Sequence, residues 1–381
     1  MRALLAAIAA ATCLFAGAAE ALEVRFYPTA RVYAYDLASD RDAHSIIVQN
    51  VAILNDGAAP VTLTSINVQL LQGGRVMDER RLGTPELDRA AGNSAALSGD
   101  LWRMLAFQFG GDRLVPANMH LAASTTLAPG EALIFGSQIF AYRGQRDSVR
   151  VIVNDNAAQA AIPIRNTASQ TRYQFPLQGV WYAGNGPGFN APHRWSPMEE
   201  FAFDLLQVDA RGQTHRRDGS RFSDYYAYGA PVFAAADGVV VMAIADQGED
   251  PHAMQQPKES VDAYYTRLRQ DQMTRVAQGT AGIAGNSVVI DHGNGEYSFY
   301  AHLKPGSVRV HVGDHIARGQ QLGQLGSSGN STEPHLHFQV CDGPDPLLCA
   351  GIPIQFEPGP DALRNPEHAP QVGDFLSRPA E

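Results

Sequence analysis

Residues 285–303 read GNSVVIDHGNGEYSFYAHL. Two short runs in it, residues 287–291 and 297–302, are rich in β-branched and aromatic side chains. Asn294-Gly295 between them is a dipeptide that favours a tight hairpin turn. The stretch therefore predicts two antiparallel strands. Moving outward, residues 232–236, 239–244, 321–325 and 335–340 have the same texture, with Asp237-Gly238 as a second turn, so the C-terminal half reads as β throughout.

The N-terminal half also reads as β. Residues 44–55 (HSIIVQNVAILN) and 61–71 (VTLTSINVQLL) are separated by Asn55-Asp56-Gly57, and residues 133–141 and 148–153 follow Pro129-Gly130. Short strands at this spacing predict an antiparallel sandwich. One helix is expected around residues 97–109, where Leu101, Leu105 and Phe109 recur at helical spacing. Residues 155–173 are polar and rich in Ala, Thr and Ser, and read as a linker. The fold class is all-β, with an N-terminal antiparallel β-sandwich-like domain over residues 22–165. A C-terminal antiparallel β domain covers residues 166–381 and is interrupted by a helical insertion at about residues 247–280. Within the insertion, residues 260–278 place Val261, Tyr265, Leu268 and Val276 near helical spacing, with Ser260 as N-cap. The insertion reads as a solvated decoration or as a wall or lid of a cleft.

The first 21 residues, MRALLAAIAAATCLFAGAAEA, combine an early Arg, an apolar run and Ala19-Glu20-Ala21. This is the pattern of a cleaved export signal with a mature start at Leu22, and it implies a periplasmic or secreted protein. No later run is apolar enough for a membrane span. The formal charge is −10 across 381 residues, which argues against a general grip on nucleic acid. Cys341 and Cys349, the cysteines left after the signal, read as a disulfide in an oxidising compartment.

Histidines carry the chemistry. His335 and His337 lie two apart in a strand run, so both imidazoles face one space. His302 closes the alternating run at residues 297–302. Asp204 sits among Phe201, Phe203, Leu205 and Leu206, where an unpaired carboxylate is costly; a metal, a hydrogen-bond donor or an Arg would satisfy it. His193 precedes it in PHRW. His44 and His120 stand alone, and the N-terminal half shows no chemistry, so it reads as a binding or positioning module.

Three stretches together, YGAPVFAAADGVVV, GNSVVIDHGNGEYSFYAHL and VHVGDHIARGQQLGQLGSSGNSTEPHLHF, resemble the M23 metallopeptidases, the lysostaphin- and LytM-like endopeptidases, over roughly residues 175–356. The resemblance implies one Zn2+ ion held by His193, Asp204 and His337, with His302 and His335 as the catalytic pair; His335 is read as the base and His302 as the oxyanion stabiliser or acid, an order that the sequence does not fix. The eleven-residue step from His193 to Asp204 departs from the family's HxxxD and points to a longer-loop branch. His215 and Asp218 are the competing pair, in a charged loop. Glu333 stands where a Gly is usual. Two imidazoles and a carboxylate leave zinc a fourth position for water. The implied activity is zinc metalloendopeptidase action on peptidoglycan stem peptides or cross-bridges. The alternative is a non-catalytic LytM-like envelope protein that binds or activates a cell-wall hydrolase, with the N-terminal domain available to an envelope partner. The glycines of residues 319–331 read as tight turns and points of close approach to substrate rather than a phosphate loop.

Overall fold

The computed structural model describes residues 22–37, 40–97, 101–166, 169–189, 191–256, 258–354, 356–357 and 370–377. The expected export signal lies outside the described residues. Two five-stranded sheets form from the N-terminal half. One has the order Leu22–Tyr27, Asp40–Asn55, Glu131–Arg143, His120–Leu121, with Tyr35–Leu37 also paired to Asp40–Asn55. The other runs Val32–Tyr33, Ala158–Arg165, Ser148–Val153, Ile66–Gln72, Arg75–Leu82. Alternation explains their packing: Val149, Val151 and Val153 of one sheet are fully buried with Ile46, Val48, Val51 and Ile53 of the other in a single core.

Two expectations for this half need correction, and one helix was not expected. Residues 155–173 are not all linker, because Ala158–Arg165 pairs along its length with Ser148–Val153. Its alanines hid a strand that burial on one face supports. The expected helix over residues 97–109 is instead two short pieces, Leu101–Met104 and Ala106–Phe109, and Leu105 between them leaves helical geometry. The longer helix, Thr84–Ala96, was not anticipated. It buries Leu87, Ala90, Ala91 and Ser94, a helical stripe made of small residues, and Glu86 reaches back to the Gly83 amide at its start.

The C-terminal half forms an eight-stranded sheet in the order His315–Ile316, Gly238–Ile244, Asn286–Asp291, Tyr297–Leu303, Leu336–Cys341, Phe203–Leu206, Val180–Asn185, Phe375–Ser377. All its pairings are antiparallel. The hairpin read from residues 285–303 is present, but its loop spans residues 292–296 instead of two residues, with Gly293 and Gly295 left-handed. In strand Leu336–Cys341 the two faces divide the labour. Leu336, Phe338 and Val340 enter the main core beside Trp181, Phe203 and Tyr300, while His337 and Gln339 point to the other side. Burying an aromatic such as Phe338 contributes about 1.5–3 kcal/mol, so this core face fixes the register that aims the polar face.

The insertion holds helix Val261–Ala277, and the Ser260 side chain accepts the Ala263 amide at 3.2 Å, as its sequence predicts. Cys341 and Cys349 form a disulfide. Among the described residues, no helix is long and apolar enough to cross a membrane.

Candidate metal centre

Asp204 and His337 face one another across paired strands, each being the other's register partner. His193 comes from a short 3-10 turn, Pro192–Trp195, whose extended exit leads toward the Asp204 strand. One ligand atom from each of these three residues lies within 4.8 Å of the others. The His193 Nε2 is 3.3 Å from Asp204 Oδ2, and the His337 Nδ1 is 3.0 Å from Asp204 Oδ1. The competing pair, His215 and Asp218, lines a separate cavity with Glu333.

His335 and His302 complete the cluster. His335 Nε2 stands 3.4 Å from Asp204 Oδ1, and the His302 and His335 ring centroids are 4.7 Å apart. His335 lies just before its strand, which begins at Leu336. His302 adopts φ 61°, a left-handed conformation that costs a non-glycine residue about 1–3 kcal/mol. The register slips at this point, with Asn286 opposite Leu303 but Val288 opposite Tyr300. Strict alternation would place His302 on the core face with Tyr300; the bulge turns it toward the cluster.

The outward nitrogen of every imidazole is tied. Ala202 O, Ser328 O and Glu333 O can only accept, so His193, His302 and His335 donate to them through Nδ1, at 3.3, 2.8 and 2.8 Å. His337 donates through Nε2 to Gln339 Oε1 at 2.9 Å, and the Gln339 amide nitrogen faces Pro346 O at 3.4 Å, which fixes the orientation of that side chain. The inward nitrogens therefore present lone pairs: Nε2 of His193, His302 and His335, and Nδ1 of His337. Three of these lone pairs, those of His193, His335 and His337, abut the Asp204 carboxylate. That arrangement is repulsive unless a proton or a cation lies between them, and a divalent ion fits the donor set.

The metal-free electrostatics agree. Burial pushes His193 down, but the Asp204 and Glu199 carboxylates outweigh it and lift it to about 9. Burial would raise Asp204, yet His193 and His335 hold it well below the usual carboxylate range. His335 is lifted because Asp204 outweighs burial. Burial, then the neighbouring His335 and His337, drive His302 well below an ordinary histidine.

A cavity of about 270 Å³ opens over these side chains, with Gln272 of the insertion, Ile283 just after it and Leu347 of the disulfide loop on its walls. The glycine-rich segment is also placed here. A Cβ on Gly329 would lie 2.3 Å from the Gly285 amide nitrogen, so the close approach it permits is between two backbone segments, not the substrate contact expected from sequence. Sequence reading missed Gln339, although it continues the His335-x-His337 alternation by one step, and missed Ser328, which gave no signal. His292 bridges Asp237 O and Ser298 Oγ at 2.7 and 2.9 Å beside the hairpin loop, apart from the cluster.

An all-β domain that brings His193, Asp204 and His337 together, with two further imidazoles beside them, fits the class that the motifs resemble. Residues 273–347 match the family model described as Peptidase family M23. The match includes His302, His335 and His337, while His193 and Asp204 precede it. Peptidoglycan DD-endopeptidase ShyA of Vibrio cholerae is 28% identical over 209 residues, 52% of this chain and 39% of that protein. ShyC of the same organism is 25% identical over 258 residues, 65% of this chain and 46% of that protein. The DD-carboxypeptidase/endopeptidase Mpg of Neisseria meningitidis is 40% identical over 63 residues, 16% of this chain and 14% of that protein. The chain thus matches less than half the length of each of these relatives. Among solved structures, the catalytic domain of lysostaphin from Staphylococcus simulans aligns at 18% identity and a TM-score of 0.24, covering 46% of this chain and 88% of that one.

Proposed function

We propose that this chain is an exported zinc metalloendopeptidase that cleaves peptide bonds in peptidoglycan. One observation carries the reading: five side chains from four separate segments converge with their lone pairs inward and every outward nitrogen of the imidazoles occupied. In this reading His193, Asp204 and His337 hold one zinc ion. A zinc ion there would polarise the scissile carbonyl and lower the pKa of water towards about 7.

The remaining chemistry belongs to the chain. His302 and His335 form the acid–base pair. Two imidazolium charges 4.7 Å apart repel, so the pair carries one proton at a time, accepted from the attacking water and passed to the leaving amine. The Ser328 and Glu333 carbonyls keep both rings in the tautomer whose Nε2 is free. The insertion and the disulfide loop wall the cleft and orient a peptide across it. The substrate class is supported by the DD-endopeptidase relatives, and export by the leader-like first residues. A scaffold that only binds or activates another hydrolase has no need of two free imidazoles beside the ligand set.

Incubating the protein with purified sacculi and sequencing the released fragments by mass spectrometry tests the proposal. Peptide-bond cleavage that is abolished by chelation and by His337→Ala is expected. Intact sacculi in the presence of zinc would overturn it and leave the envelope-scaffold alternative.

A further inference from the structure

Two of the three candidate ligands are fixed by the sheet, because Asp204 and His337 are register partners in adjacent strands. His193 has no such support. It sits in the irregular turn Pro192–Trp195, outside any ladder, and something else must hold that turn.

The N-terminal half holds it. Gln49 Nε2 donates to Arg194 O at 2.8 Å, and Gln108 Nε2 donates to Trp195 O at 2.7 Å, so two consecutive carbonyls of the turn are held from the other half of the chain. The Arg194 side chain, completely buried, runs the opposite way. Its guanidinium donates to Ser45 O and Ser45 Oγ at 3.3 and 3.1 Å and pairs with Glu200. Gln49 Nε2 also reaches Glu200 Oε2 at 3.3 Å, which closes the network. The Tyr35 and Phe201 rings flank the guanidinium at 5.1 and 5.2 Å. Charge-assisted bonds in a buried site are strong and directional, so the turn cannot shift without breaking several at once.

We propose that Gln49, Gln108 and Arg194 are positioning residues through which the N-terminal half sets the His193 turn, so that docking of the two halves tunes metal affinity. The proposal rests on His193 being a ligand. It gives the N-terminal half a role at the metal: it supplies the outer contacts that a sheet supplies to the other two ligands. Residues that orient a ligand from outside typically alter metal affinity about 10–100-fold when removed.

The test is zinc affinity of the full chain, measured by competition with a chelator, alongside thermal unfolding of the metal-free protein. Gln49→Ala and Gln108→Ala each remove a bond to the turn without touching a ligand. Tyr35→Phe is the control: it removes the cross-half bond to Gln371 but keeps the ring against Arg194. The expected result is zinc binding weakened about 10-fold or more in Gln49→Ala and Gln108→Ala and unchanged in Tyr35→Phe. A partly exposed Gln108 makes that variant the safeguard should Gln49→Ala fold poorly. Zinc affinity within twofold of the parent in a folded Gln108→Ala variant overturns the proposal. So does an equal loss in Tyr35→Phe, which would mark a general effect of interface stability. A parent chain that binds no zinc overturns the metal-site reading itself, a separate and recognisable failure.

Discussion

His302 pairs a proposed catalytic role with a costly local conformation. Its left-handed backbone is held by the Gly326 amide on its carbonyl at 3.0 Å and by its own ring on Ser328 O. His302→Ala should therefore keep its zinc but lower turnover about 10²–10⁴-fold, because acid–base catalysis is lost while the ligand set is untouched. Steady-state rates with metal analysis on the same sample check this; unchanged turnover would remove His302 from the mechanism. His193 gives a pH prediction. Lifted to about 9 from its ordinary 6.5, it stabilises the metal-free fold fully below pH 6.5, and that contribution is lost as pH rises through about 9. A metal must displace that proton, so zinc affinity should rise with pH across this window. Calorimetric titration near pH 7.5 in buffers of differing ionisation enthalpy should show about one proton or more released per zinc; none released would contradict it. At this scale the histidines were legible in the sequence, because residue type and the HxH alternation carry them. The bulge that turns His302 was not, since a positive φ leaves no mark when the residue is not glycine.

Among elements, the insertion has the clearest link to the site. Its helix Val261–Ala277 buries no residue completely, so packing alone does not account for its position. Its ends do: the Arg275 guanidinium donates to Gly329 O, and Glu249 accepts the Ser327 amide at 2.8 Å. Both contacts brace the loop whose Ser328 carbonyl orients His302. Arg275→Ala should thus lower kcat roughly tenfold with zinc content intact, and equal kcat in parent and variant would detach the insertion from catalysis. Removing residues 251–278 takes Arg275 away as well, so it should lower the rate and change the range of peptides cut, read from the fragment pattern of digested sacculi; identical pattern and rate would leave the insertion a decoration. The insertion helix could be read from Ser260 and its length. Helix Thr84–Ala96 and strand Ala158–Arg165 could not, because small residues dilute the periodic apolar signal: Ala90, Ala91 and Ser94 make up most of the helix's buried stripe, and Ala158, Ala160 and Ala161 open the strand ahead of Ile162 and Ile164.

Over the whole molecule, the two halves share buried material. Tyr33 and Tyr35 of the N-terminal half belong to the same core as Trp181 and Phe338, and Arg194 is buried between the halves. Heating should accordingly unfold both halves in one calorimetric transition, and two separate transitions would show the shared core to be weak. The β architecture of each half was open to reading from alternation and turn residues. Their contact was not: Ser45, Gln49, Arg194 and Glu200 are scattered polar residues without a motif, and only the folded chain brings them together. The central claim remains that His193, Asp204 and His337 surround one ion. Elemental analysis of the purified chain and of His193→Ala, Asp204→Ala and His337→Ala tests it most directly. About one zinc per parent chain and its loss from each variant are expected; any of the three variants retaining a full complement of zinc would refute the ligand set.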